Sequence, residues 1–179
     1  MRFLALEIDG AFLVEAERYA DERGFFQRIY DKGAFRDNGL ADCSEQCSMS
    51  WNPEPATLRG LHFQRAPHAE TKLVRCLSGR IFDVLVDLRS TSATYKRWQG
   101  VELSGANGSA VYVPKGCAHG FLTLEAQTLV LYQMDAPFVQ HAAAGVRWDD
   151  PMFAIAWPQE PRLVGERDRN WPPVDTAAA

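Results

Sequence analysis

An all-β fold, a sandwich or a barrel and including the double-sheet jelly roll, is predicted by three features of the sequence. In Ile81-Phe82-Asp83-Val84-Leu85-Val86-Asp87-Leu88, the apolar residues Phe82, Val84, Val86 and Leu88 fall on one side of an extended chain, with Asp83 and Asp87 on the other. That period of two describes a strand with one dry face. Further strand-like runs at 71–77, 98–103, 109–114, 120–124 and 128–134 follow at short intervals. Between them stand Ser78-Gly79, Gly105-Ala106-Asn107-Gly108 and Lys115-Gly116, residues that reverse a chain.

Along the chain, residues 1–9 alternate around Phe3 and Ala5 and predict a half-buried strand. Asp21-Glu22-Arg23-Gly24 leads into Phe25-Phe26, and the stretch from Asp31 to Leu40 suits a short helix. Three segments then carry the chemistry: Thr57-Leu58-Arg59-Gly60-Leu61-His62-Phe63-Gln64, Thr71-Lys72-Leu73-Val74-Arg75, and Gly108-x5-Pro114-x-Gly116-x2-His119. They put two histidines, a lysine and an arginine on neighbouring short strands, a set that can do proton chemistry. From Asp149 the chain is rich in Pro and Trp, more like a packed irregular tail than a linker. No repeat or low-complexity segment appears apart from the Ala-rich tip at 177–179, and one domain over 1–179 is expected.

The 179 residues are 46% hydrophobic, enough to bury a core. A net charge of −4, from 23 acidic and 19 basic residues, supplies no positive field for nucleic acid or an anionic membrane. With no 18-residue apolar run and no basic-then-apolar leader, a cytoplasmic protein is the default. Cys43, Cys47, Cys76 and Cys117 form no CxxC pair, and Cys43-x3-Cys47 lacks the second half of a zinc site. Free, mostly buried thiols are expected. Neither Gly-x-Gly-x-x-Gly nor a phosphate-loop signature occurs, so no cofactor is expected.

The spacing Gly108-x5-Pro114-x-Gly116-x2-His119 is that by which many cupin barrels bring a histidine to the barrel mouth, and it sharpens the fold to a cupin-type jelly-roll barrel with a few short flanking helices. The first half of the pattern departs from a metal cupin. His62 is followed by Phe63-Gln64 with no second histidine two residues on, and Lys72 stands about where a carboxylate ligand would. An ammonium has no lone pair for a metal and repels a cation, so no metal is expected.

The sequence resembles the nucleotide-sugar 4-keto-6-deoxyhexose 3,5-epimerase family from about Asp21 to Pro172. The likeness is carried by Asp21–Phe26, Leu58–Gln64, Lys72–Arg75, Phe82–Arg89 and Pro114–Phe121. It continues through Leu131-Tyr132, Gly145–Pro151, Ile155-x-Trp157-Pro158 and Glu166-Arg167-Asp168. The resemblance implies a cupin jelly roll, usually a homodimer that exchanges an N-terminal segment, acting on a nucleotide-diphosphate 4-keto sugar. The carbon beside a ketone is acidic because its deprotonation gives an enolate. A base on one face and an acid on the other then invert the centre. By resemblance His62 is the base, Asp168 orients its ring and stabilises its cation, and Lys72 holds the enolate oxygen. Arg59, with Arg23 reaching over from a partner subunit, clamps the pyrophosphate, and Phe26 stacks on the nucleotide base. Gln46, His119 and Arg167 complete the binding candidates. Tyr132 shares a strand face with Thr128 and Val130 and is an inward-facing candidate; His68 and His141 read as solvated.

Two positions depart from the family. The family's proton donor is placed six residues beyond the Leu131-Tyr132 match, where this chain has Phe138, which carries no proton. Tyr132 or water as the donor, inversion at one carbon only, or loss of epimerisation are the consequences open at this point. After Phe26, Gln27-Arg28 replaces the aromatic and glutamate of thymidine-specific members. An arginine only donates, which points to cytosine or guanine as the base read. The alternatives to an epimerase are a related cupin isomerase and a catalytically silent sugar-nucleotide binding protein.

Overall fold

In chain order the strands are β1 (Arg2–Ala5), β2 (Phe12–Glu15), β3 (Arg18–Asp21), β4 (Gly24–Gln27), β5 (Gln46–Asn52), β6 (Thr57–Gln64), β7 (Lys72–Ser78), β8 (Arg80–Asp87), β9 (Trp98–Ser104), β10 (Ala110–Val113), β11 (Cys117–Thr123), β12 (Thr128–Met134), β13 (Ala143–Gly145) and β14 (Leu163–Val164). Helices α1 (Lys32–Asp37) and α2 (Glu166–Arg169) and a 3-10 turn at Gln140–Ala142 flank them. The structure, a computed structural model, describes residues 1–174, so the Ala-rich tip at 177–179 lies outside the described residues.

One sheet runs β1-β2-β10-β7-β12-β5 and the other β13-β6-β11-β8-β9, with β14 parallel to β6; β3 and β4 form a separate ribbon. The inner faces close on Val74, Cys76, Val111 and Val130 from the first sheet and Ile81, Leu85, Leu103 and Phe121 from the second. This is the double-sheet barrel that the strand spacing predicts. Two further layers cover the outside. Phe35 of α1 packs on Val14, Leu73, Ala110 and Tyr112 of the first sheet, while Phe153, Ile155, Trp157 and Val174 of the tail pack over Leu61, Val84, Val86 and Ala118 of the second.

That second covering layer corrects the reading of residues 81–88. The alternation is real, but both faces are dry: Phe82, Val84 and Val86 lie under the tail, and Asp83 and Asp87, fully buried, face the other way. Buried carboxylates need donors, and these have them: His119 for Asp83, and Arg89, Ser92 and Thr94 for Asp87.

The strand expected over 1–9 stops at Ala5. Gly10, at φ +73°, and the bonds Ala11 N–H to Ile8 C=O and Leu6 N–H to Ala11 C=O turn the chain back, so that β1 pairs antiparallel with β2. The expected helix is α1, capped by Asp31, whose carboxylate accepts from Ala34 N–H at 3.0 Å. Cys43, Cys76 and Cys117 are buried and Cys47 is exposed, all as free thiols.

Candidate active site

Gly60 decides what β6 presents to the barrel interior. Arg59 and His62 are three apart and would face opposite sides of a regular strand. The pairs His119↔His62 and Phe121↔Arg59 show two steps on β11 matched by three on β6, a bulge that turns both side chains inward. Gly60 sits at φ +135°, and a Cβ there would lie 2.5 Å from Gly120 Cα, so only glycine permits this approach.

Two cavities share His62, Lys72 and Tyr132 as a common wall. The inner one, about 230 Å³, is also lined by Ser50, Arg59, His119, Phe121 and Asp168. The outer one, about 270 Å³, adds Gln46, Gln64, Glu70, Met134, Phe138 and Arg167. The sequence candidates therefore converge here except Arg23, Phe26 and Arg28. Those three belong to or follow the β3–β4 ribbon: Arg23 pairs with Asp21, Phe26 is largely exposed, and Phe26 and Arg28 line a separate hollow with Tyr19. Arg28 Nη1 bonds Asp31 Oδ2 at 3.3 Å, so the donor expected to read a base is engaged with the cap of α1.

At the shared wall, His62 Nε2 bonds Asp168 Oδ1 at 2.5 Å; the imidazole is 40% exposed and the carboxylate 10%. With the hydrogen on Nε2 given to Asp168, the lone pair stands on Nδ1 as proton acceptor. Asp168, on α2, also accepts from Gly60 N–H at 3.0 Å and Trp171 Nε1–H at 3.2 Å. Burial alone would raise its carboxyl; the hydrogen bond and charge of His62, with the Gly60 and Trp171 donors, outweigh burial and hold it below the usual carboxylate range.

Tyr132 is the opposite case. Burial pushes its hydroxyl far above the ordinary phenol value, and Asp83 adds to this against the pull of Ser50 and Arg59. The phenol therefore keeps its proton. Its oxygen lies 3.1 Å from Ser50 Oγ, and its inward face with Thr128 and Val130 is as the alternation predicts.

Lys72 is fixed from two sides, donating to His62 C=O at 3.2 Å and pairing with Glu70 at 3.1 Å. Gln64 ties the same Glu70 to the loop after β12: its Nε2 donates to Glu70 Oε2 at 2.8 Å and its Oε1 accepts from Val139 N–H at 2.7 Å. Gln46 Oε1 accepts from Phe138 N–H at 2.8 Å, which sets the Phe138 ring at the mouth of the outer cavity. Arg59 Nε is held by Asn52 Oδ1 at 2.7 Å. His119 both holds the wall and lines the inner cavity, buried against Asp83 at 2.7 Å. His68 and His141 line neither cavity and meet each other edge to face at 5.4 Å.

Sequence reasoning passed over Ser48, Ser50, Gln64, Glu70 and Trp171. For the first two a signal existed: in β5, Gln46, Ser48 and Ser50 alternate toward the site while Cys47, Met49 and Trp51 face out.

A double-sheet barrel whose mouth holds an accessible histidine backed by a saturated carboxylate, a fixed lysine and a protonated tyrosine is built for proton transfer at carbon. The comparisons with known proteins say which kind. The family model described as dTDP-4-dehydrorhamnose 3,5-epimerase matches residues 5–176. The dTDP-4-dehydrorhamnose 3,5-epimerase of Methanothermobacter thermautotrophicus is 42% identical over 97% of this chain and 94% of its own. The Bacillus anthracis enzyme of the same name, solved with TDP and pyrophosphate bound, superposes with a TM-score of 0.93 at 39% identity, covering 96% of this chain and 98% of that one. A 3'-monoepimerase from Streptomyces bikiniensis, solved with dTDP as a double variant, gives 0.90 at 30% identity over 97% of this chain and 87% of that one. The chain belongs to the dTDP-4-dehydrorhamnose 3,5-epimerase family. It is an isomerase with that family's cupin fold.

Proposed function

We propose that this protein epimerises a dTDP-linked 4-keto-6-deoxyhexose at C3 and C5 through an enolate. His62 Nδ1 removes the proton beside the ketone, Asp168 stabilises the imidazolium, Lys72 holds the enolate oxygen, and Tyr132 returns a proton on the opposite face. The observation that carries this reading is the shared wall itself: a half-exposed base and a phenol held in its protonated form border the same two cavities. The reading places the acid at Tyr132 rather than at position 138, where the resemblance of the sequence put it. It is supported by the Streptomyces bikiniensis monoepimerase, whose double variant replaces a histidine by asparagine and a tyrosine by phenylalanine spaced as His62 and Tyr132 are here. Arg59 lines the inner cavity and Arg167 the outer, and the fork of either guanidinium suits pyrophosphate oxygens.

Thymidine is the base of choice. Arg28 is engaged with Asp31 and no longer argues for cytosine or guanine, and the relatives are named for dTDP sugars. A second reading, inversion at one carbon only, is favoured by Phe138, which brings to the outer cavity an apolar ring with no proton to give. A homodimer is supported by the exposed apolar side of the edge strand β5, Met49 and Trp51, with Leu77 also exposed on β7. In it, Arg23 and Phe26 on the ribbon would be free to reach a partner's site. Sedimentation at micromolar concentration tests this.

Proton NMR in heavy water, with dTDP-4-keto-6-deoxyglucose and its CDP and GDP counterparts, tests the rest. Exchange with inversion at C3 and C5 of the dTDP sugar is expected; inversion at one carbon selects the second reading. In that case Phe138→Tyr raises inversion at the other carbon. Tyr132→Phe should retain deuterium exchange while inversion falls by roughly 10²-fold or more; inversion at the wild-type rate would remove Tyr132 from the acid role.

A further inference from the structure

Trp171 touches the catalytic pair without lining either cavity. Its Nε1–H donates to Asp168 Oδ1 at 3.2 Å, the same oxygen that His62 Nε2 engages at 2.5 Å. Its ring meets the His62 imidazole edge to face at 6.1 Å, and the Arg167 guanidinium covers it at 4.8 Å from the ring centre. The slot for the indole is built by a third element. Gly145 of β13 is the cross-strand partner of His62, and a Cβ at 145 would lie 2.5 Å from Trp171 Nε1. Arg167, Trp171, Asp168 and His62 thus form one continuous chain of contacts, with Trp171 behind the cavity wall.

From these contacts we infer that Trp171 is a positioning residue that sets the strength of the base: its indole N–H and the His62 ring share Asp168 Oδ1, and Gly145 exists to admit the indole. Two donors on one oxygen divide its charge. The indole N–H drains part of the negative charge that would otherwise face His62, so the imidazolium is held less firmly and the base is free at lower pH. It also pins the carboxylate from the side opposite the Gly60 N–H, leaving one orientation for the His62 ring. The inference rests on the proposed role of His62 as base.

Trp171→Phe deletes the N–H together with the pyrrole part of the indole that fills the Gly145 slot, and leaves a phenyl ring for Arg167 to cover. The acid limb of the kcat profile should move to higher pH. Below that limb kcat should fall by roughly 3- to 10-fold with KM little changed, the change that moving the limb by about half to one pH unit produces. A purely structural tryptophan would lower the folded fraction and leave the limb where it is. Gly145→Ala, which displaces the indole, should shift the limb in the same direction, and Trp171→Phe added to it should shift it no further. In the wild-type protein, the Trp171 indole N–H resonance, assigned through its proximity to the His62 ring, should titrate together with the His62 ring signals; this reading needs no variant. An unmoved limb in Trp171→Phe, or an indole signal indifferent to the His62 titration, overturns the inference. If His62→Asn retains wild-type proton exchange, the base assignment itself fails, and that outcome is distinct from either.

Discussion

Two histidine–carboxylate pairs stand side by side in this barrel, and they differ in the two properties that decide whether a histidine can work. His62 and His119 are cross-strand partners on β6 and β11. The His62 side chain is 40% exposed to the shared wall of the cavities, and its Asp168 is saturated by donors from the imidazole, a backbone N–H and an indole. The His119 side chain is 4% exposed, and Asp83 accepts from it through Oδ2 while Oδ1 has no protein donor among the described residues. Access permits proton exchange with a substrate; saturation keeps the carboxylate ionised behind the ring. Only the first pair has both. The largest effect therefore follows from His62→Asn, near in shape but no base: turnover should fall by roughly 10²- to 10⁴-fold. Its melting temperature should stay close to the wild type, because the ring is half exposed. Product NMR and calorimetry measure the two quantities.

The second pair should respond in the reverse sense. His119→Phe removes the one donor that the buried Asp83 has among the described residues, and leaving a buried carboxylate without its partner costs about 3–5 kcal/mol. Urea unfolding should show that loss. Turnover by the folded protein should drop far less than in His62→Asn, although His119 lines the inner cavity. If turnover fell equally in both variants while stability held, the distinction between working pair and wall pair would be gone.

The two pairs also mark where the sequence stops being legible. Both histidines stand in Gly-rich motifs that read as a site, the short strands and their turns read as a double-sheet barrel, and Asp31 reads as a helix cap. What could not be read is which face each strand buries, because that depends on layers supplied from elsewhere in the chain. The alternation of 81–88 was visible, but the tail that dries Phe82, Val84 and Val86 lies about seventy residues away. In β5 the polar side faces the site and the apolar side faces out, the inverse of the usual rule. Arg59 and His62 look out of phase until the bulge at Gly60 brings them together. Trp171 was invisible for the same reason: its meaning comes from Gly145 and Asp168, which meet only in the folded barrel.

A third carboxylate separates saturation from access. Asp87, on the same strand and face as Asp83, accepts from Arg89 N–H and Nε at 2.9 and 2.8 Å, from Ser92 Oγ at 2.5 Å and from Thr94 Oγ1 at 2.6 Å. Arg89 and Thr94 in turn hold the backbone of Asp9, fastening the turn between β1 and β2. Asp87 is as well supplied with donors as Asp168, yet it borders neither cavity. Burial would raise its carboxyl, but the bonds from Arg89, Ser92 and Thr94 outweigh that and bring it down to about 2. Its folded value is thus below the unfolded one, so the stability it contributes is present above about pH 4 and is lost as pH falls toward 2. Through this linkage Asp87→Asn should cost about 2 kcal/mol at neutral pH. The gap between variant and wild type should close as acid titrates the wild-type carboxylate. Turnover of the folded variant should match the wild type, because a saturated carboxylate with no accessible histidine beside it has no proton to move. Melting curves from pH 7 down to 2, with product NMR at pH 7, read both outcomes. A loss of turnover without a loss of stability would show that donor saturation alone, rather than access to the cavity, distinguishes the carboxylates of this barrel.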